Sequence, residues 1–296
     1  MRAGVVINPI SGRAGRVHDA GPRRAALARD VAARLRVNAD VRITERAGHA
    51  AELTKLFIEA GCARVVVWGG DGTVNEVAGP IVARGTSVTL GIVPGGSGDG
   101  LARSLGLAHP PELALETALT AAPVPIDVGF LDDRHFLNIA GVGFDAAVGR
   151  AFNARGKRGL RNYVRILLTL VWTYSPERYR LTMDGLESEG DRFLVAFANG
   201  REYGNQMVLA PAASVRDGWL DVVTVGAGGP IIQLWRARRL AIRPGKPAAG
   251  VSWGRCQTAR ISGQNLVCHV DGEAFETSGT VEVRIARGAL NVAGVV

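Results

Sequence analysis

The stretch Val65-Val66-Val67-Trp68-Gly69-Gly70-Asp71-Gly72-Thr73-Val74-Asn75-Glu76 constrains this chain most. It reads as a buried strand, a glycine-rich turn with one carboxylate, and a helix starting near Thr73 or Val74. Gly69 and Gly70 remove the Cβ atoms that would hold a ligand away from the backbone. The helix start presents N–H groups and a positive dipole end, which suits phosphate. A carboxylate next to phosphate makes chemical sense when a divalent cation or a proton transfer is involved, so Asp71 is a candidate for either role. The plain alternative is a tight strand-to-helix turn with Asp71 as its cap.

Two further loops have the same build. The strand Arg2 to Asn8 ends in Asn8-Pro9-Ile10-Ser11-Gly12-Arg13-Ala14-Gly15, which lacks the Lys and the spacing of a Walker loop. The strand Val88 to Val93 runs into Pro94-Gly95-Gly96-Ser97-Gly98-Asp99-Gly100, a Gly-x-Ser-x-Asp run rather than a hydrolase elbow. Helices are expected over Pro22 to Leu35, His49 to Ala60 and 74 to 83, ending at Gly85, with another strand over Asp40 to Thr44. This alternation predicts parallel βα units over residues 1–122, and such strands converge their C-terminal ends on one ligand crevice. No loop completes G-x-G-x-x-G, so no dinucleotide cofactor is indicated.

Pro123 and Pro125 mark a junction. Beyond it, short strands (Ile126–Leu131, His135–Ala140, Tyr179–Met183, Phe193–Asn199, Leu220–Val225, Cys256–Ser262, Leu266–Val270, Thr280–Ala286) predict an antiparallel β domain over 123–296, with one helical insertion at Gly159 to Tyr174. That helix, with Arg158, Arg161 and Arg165 at its start, reads as a core helix or as the flank of a lipid pocket. Asp127, Asp217 and the Asp271-Gly272-Glu273 turn are the carboxylates that stand out. Any Asp-Gly also serves as a hairpin turn.

The net charge of +8 admits nucleic acid, an anionic membrane or phosphorylated substrates, or is simply a solvated basic face. Arg150 to Arg165 and Leu234 to Arg260 hold six and seven basic residues and no acidic one. Three widely spread cysteines (Cys62, Cys256, Cys268) fit reduced thiols in a cytoplasmic protein. Five histidines (His18, His49, His109, His135, His269) show no metal spacing, and a Cys268–His269 pair is discounted because strand neighbours face opposite ways. The N-terminus does not read as a signal peptide, and the longest apolar run, Ile166 to Tyr174, is too short to span a bilayer.

Taken in order, Asn8-Pro9-x-Ser11-Gly12, Gly69-Gly70-Asp71-Gly72-Thr73-x-Asn75-Glu76, Pro94-Gly95-Gly96-Ser97-Gly98-Asp99, Ala198-Asn199-Gly200, Pro211…Asp217-Gly218-x-Leu220-Asp221 and Asp271-Gly272-Glu273 span nearly the whole chain. The ordered set resembles the diacylglycerol-kinase catalytic-domain family, which includes bacterial lipid kinases and sphingosine and ceramide kinases. The resemblance implies an α/β domain and a C-terminal β-sandwich whose chain end returns to the first domain, with ATP in the cleft between them. It implies nucleotide contacts from Asn8, Pro9, Ile10, Ser11, Gly12, Thr44, Gly69, Gly70, Asp71, Gly72, Thr73, Val74, Asn75 and Ser97. It places a structural Mg²⁺ at Asp217 with the carbonyls of Ser214 and Trp219. Glu273 falls at the family's general base, Asp127 in its Mg²⁺ network, and Asp71 holds Mg²⁺, orients the acceptor hydroxyl or takes the proton itself.

The expected activity is ATP- and Mg²⁺-dependent transfer to a lipid hydroxyl, by a cytoplasmic protein peripheral to the membrane. A homodimer is left open and no nucleic-acid partner is expected. The third loop departs from the sphingosine-kinase-like form, with Asp99 where that form has Asn. The rivals are an NAD kinase or sugar-phosphate kinase, and a non-enzymatic basic nucleotide- or nucleic-acid-binding protein. The Asn8-Pro9-x-Ser11-Gly12 start and the late Asp271-Gly272-Glu273 favour the lipid branch.

Overall fold

A computed structural model describes residues 1–12, 19–85, 87–107, 110–154, 160–203 and 207–294. Arg13, Ala14, Gly15, His18, His109, Arg158 and Gly159 lie outside the described residues, as does the side chain of Arg161. The chain forms two compact units, Met1–Asp127 with Arg287–Val296, and Val128–Ala286.

The first unit is a doubly wound α/β layer. Strands β1 (Arg2–Ile7), β2 (Asn38–Ile43), β3 (Arg64–Gly69) and β4 (Thr89–Pro94) are all parallel, in the order β2-β1-β3-β4. The last residues of the chain extend this sheet, with Asn291 and Val292 parallel to Thr89 and Leu90. Val65, Val66, Val67 and Trp68 are buried on both faces, as a central parallel strand requires. Helices α1 (Ala20–Arg34) and α5 (Pro111–Thr120) pack Ala25, Ala28, Val31, Leu115 and Leu119 against Val5, Ile7 and Val66. Helices α2 (His49–Glu59) and α3 (Asp71–Arg84) pack against β1 and β3. Gly4 admits the Phe57 ring, which a Cβ would meet at 2.2 Å. Helix α3 starts at Asp71, two residues ahead of the expected Thr73, and ends at Gly85 in a left-handed conformation.

The second unit is antiparallel. Strands β7 (Ile139–Gly143), β9 (Leu186–Ala198), β10 (Leu220–Gly226), β11 (Val251–Cys256) and β12 (Thr258–Val270) run in the order β11-β10-β9-β7-β12. The first half of β9 pairs with β8 (Glu177–Met183) and its second half with β7. Tyr179, Leu181, Val195, Phe197, Ile261, Leu266 and Cys268 form the core that these strands enclose. Alternate residues Ala196 and Ala198 face a second core covered by α6 (Phe144–Ala154) and α7 (Leu160–Thr173) through Val148, Ile166 and Val171.

Three expectations are corrected. The unit has three helices among the described residues, α6, α7 and α8 (Pro230–Ile242), where one was expected. The run His135–Ala140 is broken between β6 (Arg134–Phe136) and β7, because the N–H groups of Leu137, Asn138 and Ile139 all donate to the Asp271 carboxylate. The run Cys256–Ser262 is broken at Gln257, whose N–H turns to the Asp184 carboxylate.

Candidate active site

In the first unit the three glycine loops meet. Asn8 Nδ2 donates to Thr73 Oγ1 at 2.8 Å, tying the first loop to the second. Asn8 Oδ1 accepts the Ile10 N–H at 3.1 Å, a local turn that mimics a backbone turn. Gly12 has φ +67°, and a Cβ there would lie 2.4 Å from the Gly95 carbonyl oxygen. A Cβ on Gly96 would lie 2.7 Å from Gly70 Cα. Backbone thus approaches backbone at both contacts, and larger residues would fill the cradle. The start of α3 leaves the N–H groups of Gly72 and Thr73 without helical partners, while the Val74 N–H is spent on the Gly70 carbonyl at 3.0 Å. Val74 and Thr44 are buried, and the Thr44 N–H donates to the Ile7 carbonyl at 2.8 Å. Ser97 and Ile10 are exposed at the rim.

Asp71 is the first residue of α3, after the N-cap Gly70. Its two carboxylate oxygens accept the N–H groups of Gly100 and Leu101, each at 3.2 Å, at the start of the short α4 (Gly100–Ser104). Asp99 lies alongside with φ +47°, its Oδ1 accepting the Gly96 N–H at 2.9 Å. Burial, with the nearby Asp71 charge second, pushes the Asp99 carboxyl up to about 6. Asp127 is buried and accepts the Gly288 N–H at 2.8 Å, within the same unit.

Arg24 of α1 belongs to this site although no sequence pattern marks it. It is buried, and its guanidinium donates to the Asn8 carbonyl (2.6 Å), Ser11 Oγ (2.7 Å) and the Ser11 carbonyl (3.0 Å). It also lies 5.5 Å from the Trp68 ring centroid. Burial without a carboxylate partner lowers its pKa, yet guanidinium keeps its charge. A fixed cation beneath the first loop favours an anion above it.

In the second unit, Asp271 and Gly272 (φ +47° and +88°) make the two-residue hairpin turn from β12 into β13 (Glu273–Ala293). The turn is fixed from below by the three N–H groups on Asp271. It is fixed from the side by a cluster that sequence reasoning missed. His269 Nε2 lies 3.0 Å from Asp145 Oδ2, and Tyr203 Oη donates to the same oxygen. The Gly272 N–H points at His269 Nδ1 (3.4 Å), leaving Nε2 to carry the proton and donate to Asp145. Gly141 makes the room, since a Cβ there would meet Asp145 Oδ2 at 2.2 Å and His269 Nε2 at 2.8 Å. The readable signal was Gly141-x-Gly143-Phe144-Asp145. Glu273, next after the turn, is exposed.

Asp217 accepts the Trp219 N–H at 3.1 Å and pairs with Arg255. Arg255 Nε also lies 3.5 Å from Asp221 Oδ2, a buried oxygen with no hydrogen bond. Burial pushes the Asp221 carboxyl up, and Arg255 opposes the shift. The orphaned Asp221 Oδ2 and the Asp217 carboxylate share Arg255 as a partner, and carboxylate oxygens of this kind suit a hard divalent cation. No cluster of three His, Cys, Asp or Glu residues exists among the described residues.

Glycine-walled loops at parallel strand ends, joined to a helix start and a buried arginine, make up the α/β unit, and an antiparallel unit follows it. Residues 2–131 match the diacylglycerol kinase catalytic domain, and residues 138–294 match the YegS C-terminal NAD kinase beta sandwich-like domain. The chain belongs to this family of YegS-like and diacylglycerol-kinase-like lipid kinases. A "probable lipid kinase YegS-like" of Pseudomonas putida is 31% identical over 81% of this chain and 80% of its own length. One of Chromohalobacter salexigens is 39% identical over 62% of this chain, and the match spans 61% of that relative's length. The crystal structure of diacylglycerol kinases from Bacillus anthracis shares the fold, with a TM-score of 0.76 over 99% of this chain and 96% of that one at 19% identity.

Proposed function

We propose that this chain is an ATP- and Mg²⁺-dependent lipid kinase that transfers the γ-phosphate to a hydroxyl of a lipid such as diacylglycerol or a sphingoid base. The observation that carries the reading is the three-loop cradle, in which Gly12, Gly70 and Gly96 are walled by backbone, the Gly72 and Thr73 N–H groups lack helical partners, and the buried Arg24 holds the first loop. Asn8, Ser11 and Ser97 supply polar contacts to the nucleotide, and Arg24 holds the first loop in place.

Phosphoryl transfer requires positioning and charge compensation more than covalent chemistry. Asp217 with Ser214, Trp219 and the neighbouring Asp221 would hold Mg²⁺, which when bound compensates phosphate charge. Both oxygens of Asp71 are engaged by Gly100 and Leu101, so Asp71 anchors the third loop and orients the acceptor. Glu273, exposed and next after the anchored Asp271-Gly272 turn, accepts the hydroxyl proton. Asp127 secures the returning chain at Gly288, and by the family resemblance it would also serve the Mg²⁺ network. The enzyme works from the cytoplasm on lipid presented at a membrane surface; among the described residues no helix is long and apolar enough to cross one.

The test is Mg²⁺-dependent transfer of labelled γ-phosphate to diacylglycerol, sphingosine, ceramide and a polyprenol in mixed micelles, with NAD and sugar phosphates as competing acceptors. Label in one lipid class supports the reading. Label in NAD or a sugar phosphate, with none in lipid, overturns it.

A further inference from the structure

Helix α8 buries two polar side chains, Gln233 and Arg236, beside the half-buried Leu234 and Leu240, while Ile231 (73% exposed), Ile232, Trp235 (46%) and Ile242 (61%) face solvent. The polar side chains have a structural task that explains their burial. Gln233 donates to the Gly226 carbonyl at 2.9 Å, and Arg236 donates to the Gly226 carbonyl (2.7 Å) and the Ala249 carbonyl (2.9 Å). These bonds fasten one face of α8 to the sandwich and fix the apolar face outward. Helix α7 packs beside it and also carries exposed apolar residues. Ile166 and Val171 are buried, and Val164, Leu168 and Trp172 (61% exposed), four residues apart, form a second outward stripe.

Such a surface needs an apolar partner, because folding alone gains nothing from it. The charges around it say which. Arg165 flanks the α7 stripe, and Trp235 and Ile242 line a shallow groove together with Arg238, Arg239 and Arg243. The Arg239 guanidinium lies 5.6 Å from the Trp235 ring centroid. No Asp or Glu occurs from Val222 to Val270. A second copy of this face would bring arginines against arginines, which disfavours self-association. Apolar residues and tryptophans ringed by arginine match the interface of an anionic bilayer, where rings sit at headgroup depth and guanidinium groups meet phosphate.

We infer that the paired outer faces of α7 and α8 are the docking surface on which this chain binds an anionic phospholipid membrane. The inference deepens the lipid-kinase reading, and rests on it for its purpose, by naming the face that brings the second unit to its substrate.

Flotation with phosphatidylcholine vesicles, and with vesicles also containing phosphatidylglycerol, tests it. Arg238→Gln with Arg243→Gln should weaken binding to the anionic vesicles by roughly thirtyfold, at about 1 kcal/mol of surface attraction per arginine. Trp172→Ser with Trp235→Ser should weaken it by at least about tenfold. All four residues are exposed, so urea unfolding of each double variant should superimpose on the parent. Equal binding by parent and variants overturns the inference. So does a parent dimer, seen by analytical ultracentrifugation, that the tryptophan variant abolishes while vesicle binding persists. A water-soluble short-chain acceptor separates the two proposals: variants should turn it over at the parent's rate. No turnover by any of the proteins, with vesicle binding lost in the variants, would remove the kinase reading and leave the docking face.

Discussion

Asp99→Asn should stabilise the protein, and only at neutral to alkaline pH. Burial and the Asp71 charge raise the Asp99 carboxyl from 3.8 to about 6 in the folded chain. The folded state therefore holds this proton more tightly than the unfolded state. Stability from this group is greatest below 3.8, falls as pH rises through the window from 3.8 to about 6, and is flat above it. The full shift corresponds to about 3 kcal/mol, and partial exposure reduces this to about 2 kcal/mol. Asparagine keeps the oxygen that accepts the Gly96 N–H, tolerates the positive φ and carries no charge against Asp71. Urea unfolding of parent and variant across a pH series checks this. The variant should gain about 2 kcal/mol near pH 8, with unchanged denaturant slope, and nothing near pH 4. An equal gain at both ends would mean a backbone effect rather than a charge effect. A loss near pH 8 would mean that the ionised Asp99 stabilises the loop, which would refute the reasoning.

Three other perturbations have defined outcomes. Gly141→Ala would force a methyl group against Asp145 and His269, and should cost about 1–3 kcal/mol in urea unfolding while lowering turnover through the Glu273 turn. Arg24→Met removes charge-assisted bonds to Asn8 and Ser11, so the KM for ATP should rise about tenfold or more, measured with acceptor saturating. The three cysteines are buried, with Cys256 and Cys268 each pushed up to about 12, so a thiol reagent should react only as the protein unfolds.

The first unit was legible because its signals are local. Strands Val65–Trp68 and Val88–Val93 are mostly apolar and run into glycine-rich turns, and the second and third loops lead directly into helices. Even there, the partners of the Asp71 carboxylate, Gly100 and Leu101, lie some thirty positions on and could not be read from its own loop. The second unit was legible in its strands and less so in its helices. Helix α8 carries Ile231, Ile232, Trp235 and Ile242 outward and its Gln233 and Arg236 inward, so a search for a fully buried apolar face passes over it. The Asp145–His269–Tyr203 cluster joins residues from three separate segments, and nothing in the spacing of single histidines announces it. Arg24 reads as one more surface arginine of a basic helix until the fold buries it under Asn8.

The most direct test of the whole account is a single-turnover measurement of labelled γ-phosphate appearing in lipid, with Glu273→Gln beside the parent. The account predicts transfer by the parent and a loss on the order of a hundredfold or more in the variant, with ATP binding and urea unfolding unchanged. Full-rate transfer by the variant would contradict the assignment of Glu273, and absence of transfer from ATP-bound parent to any lipid would contradict the proposed activity itself.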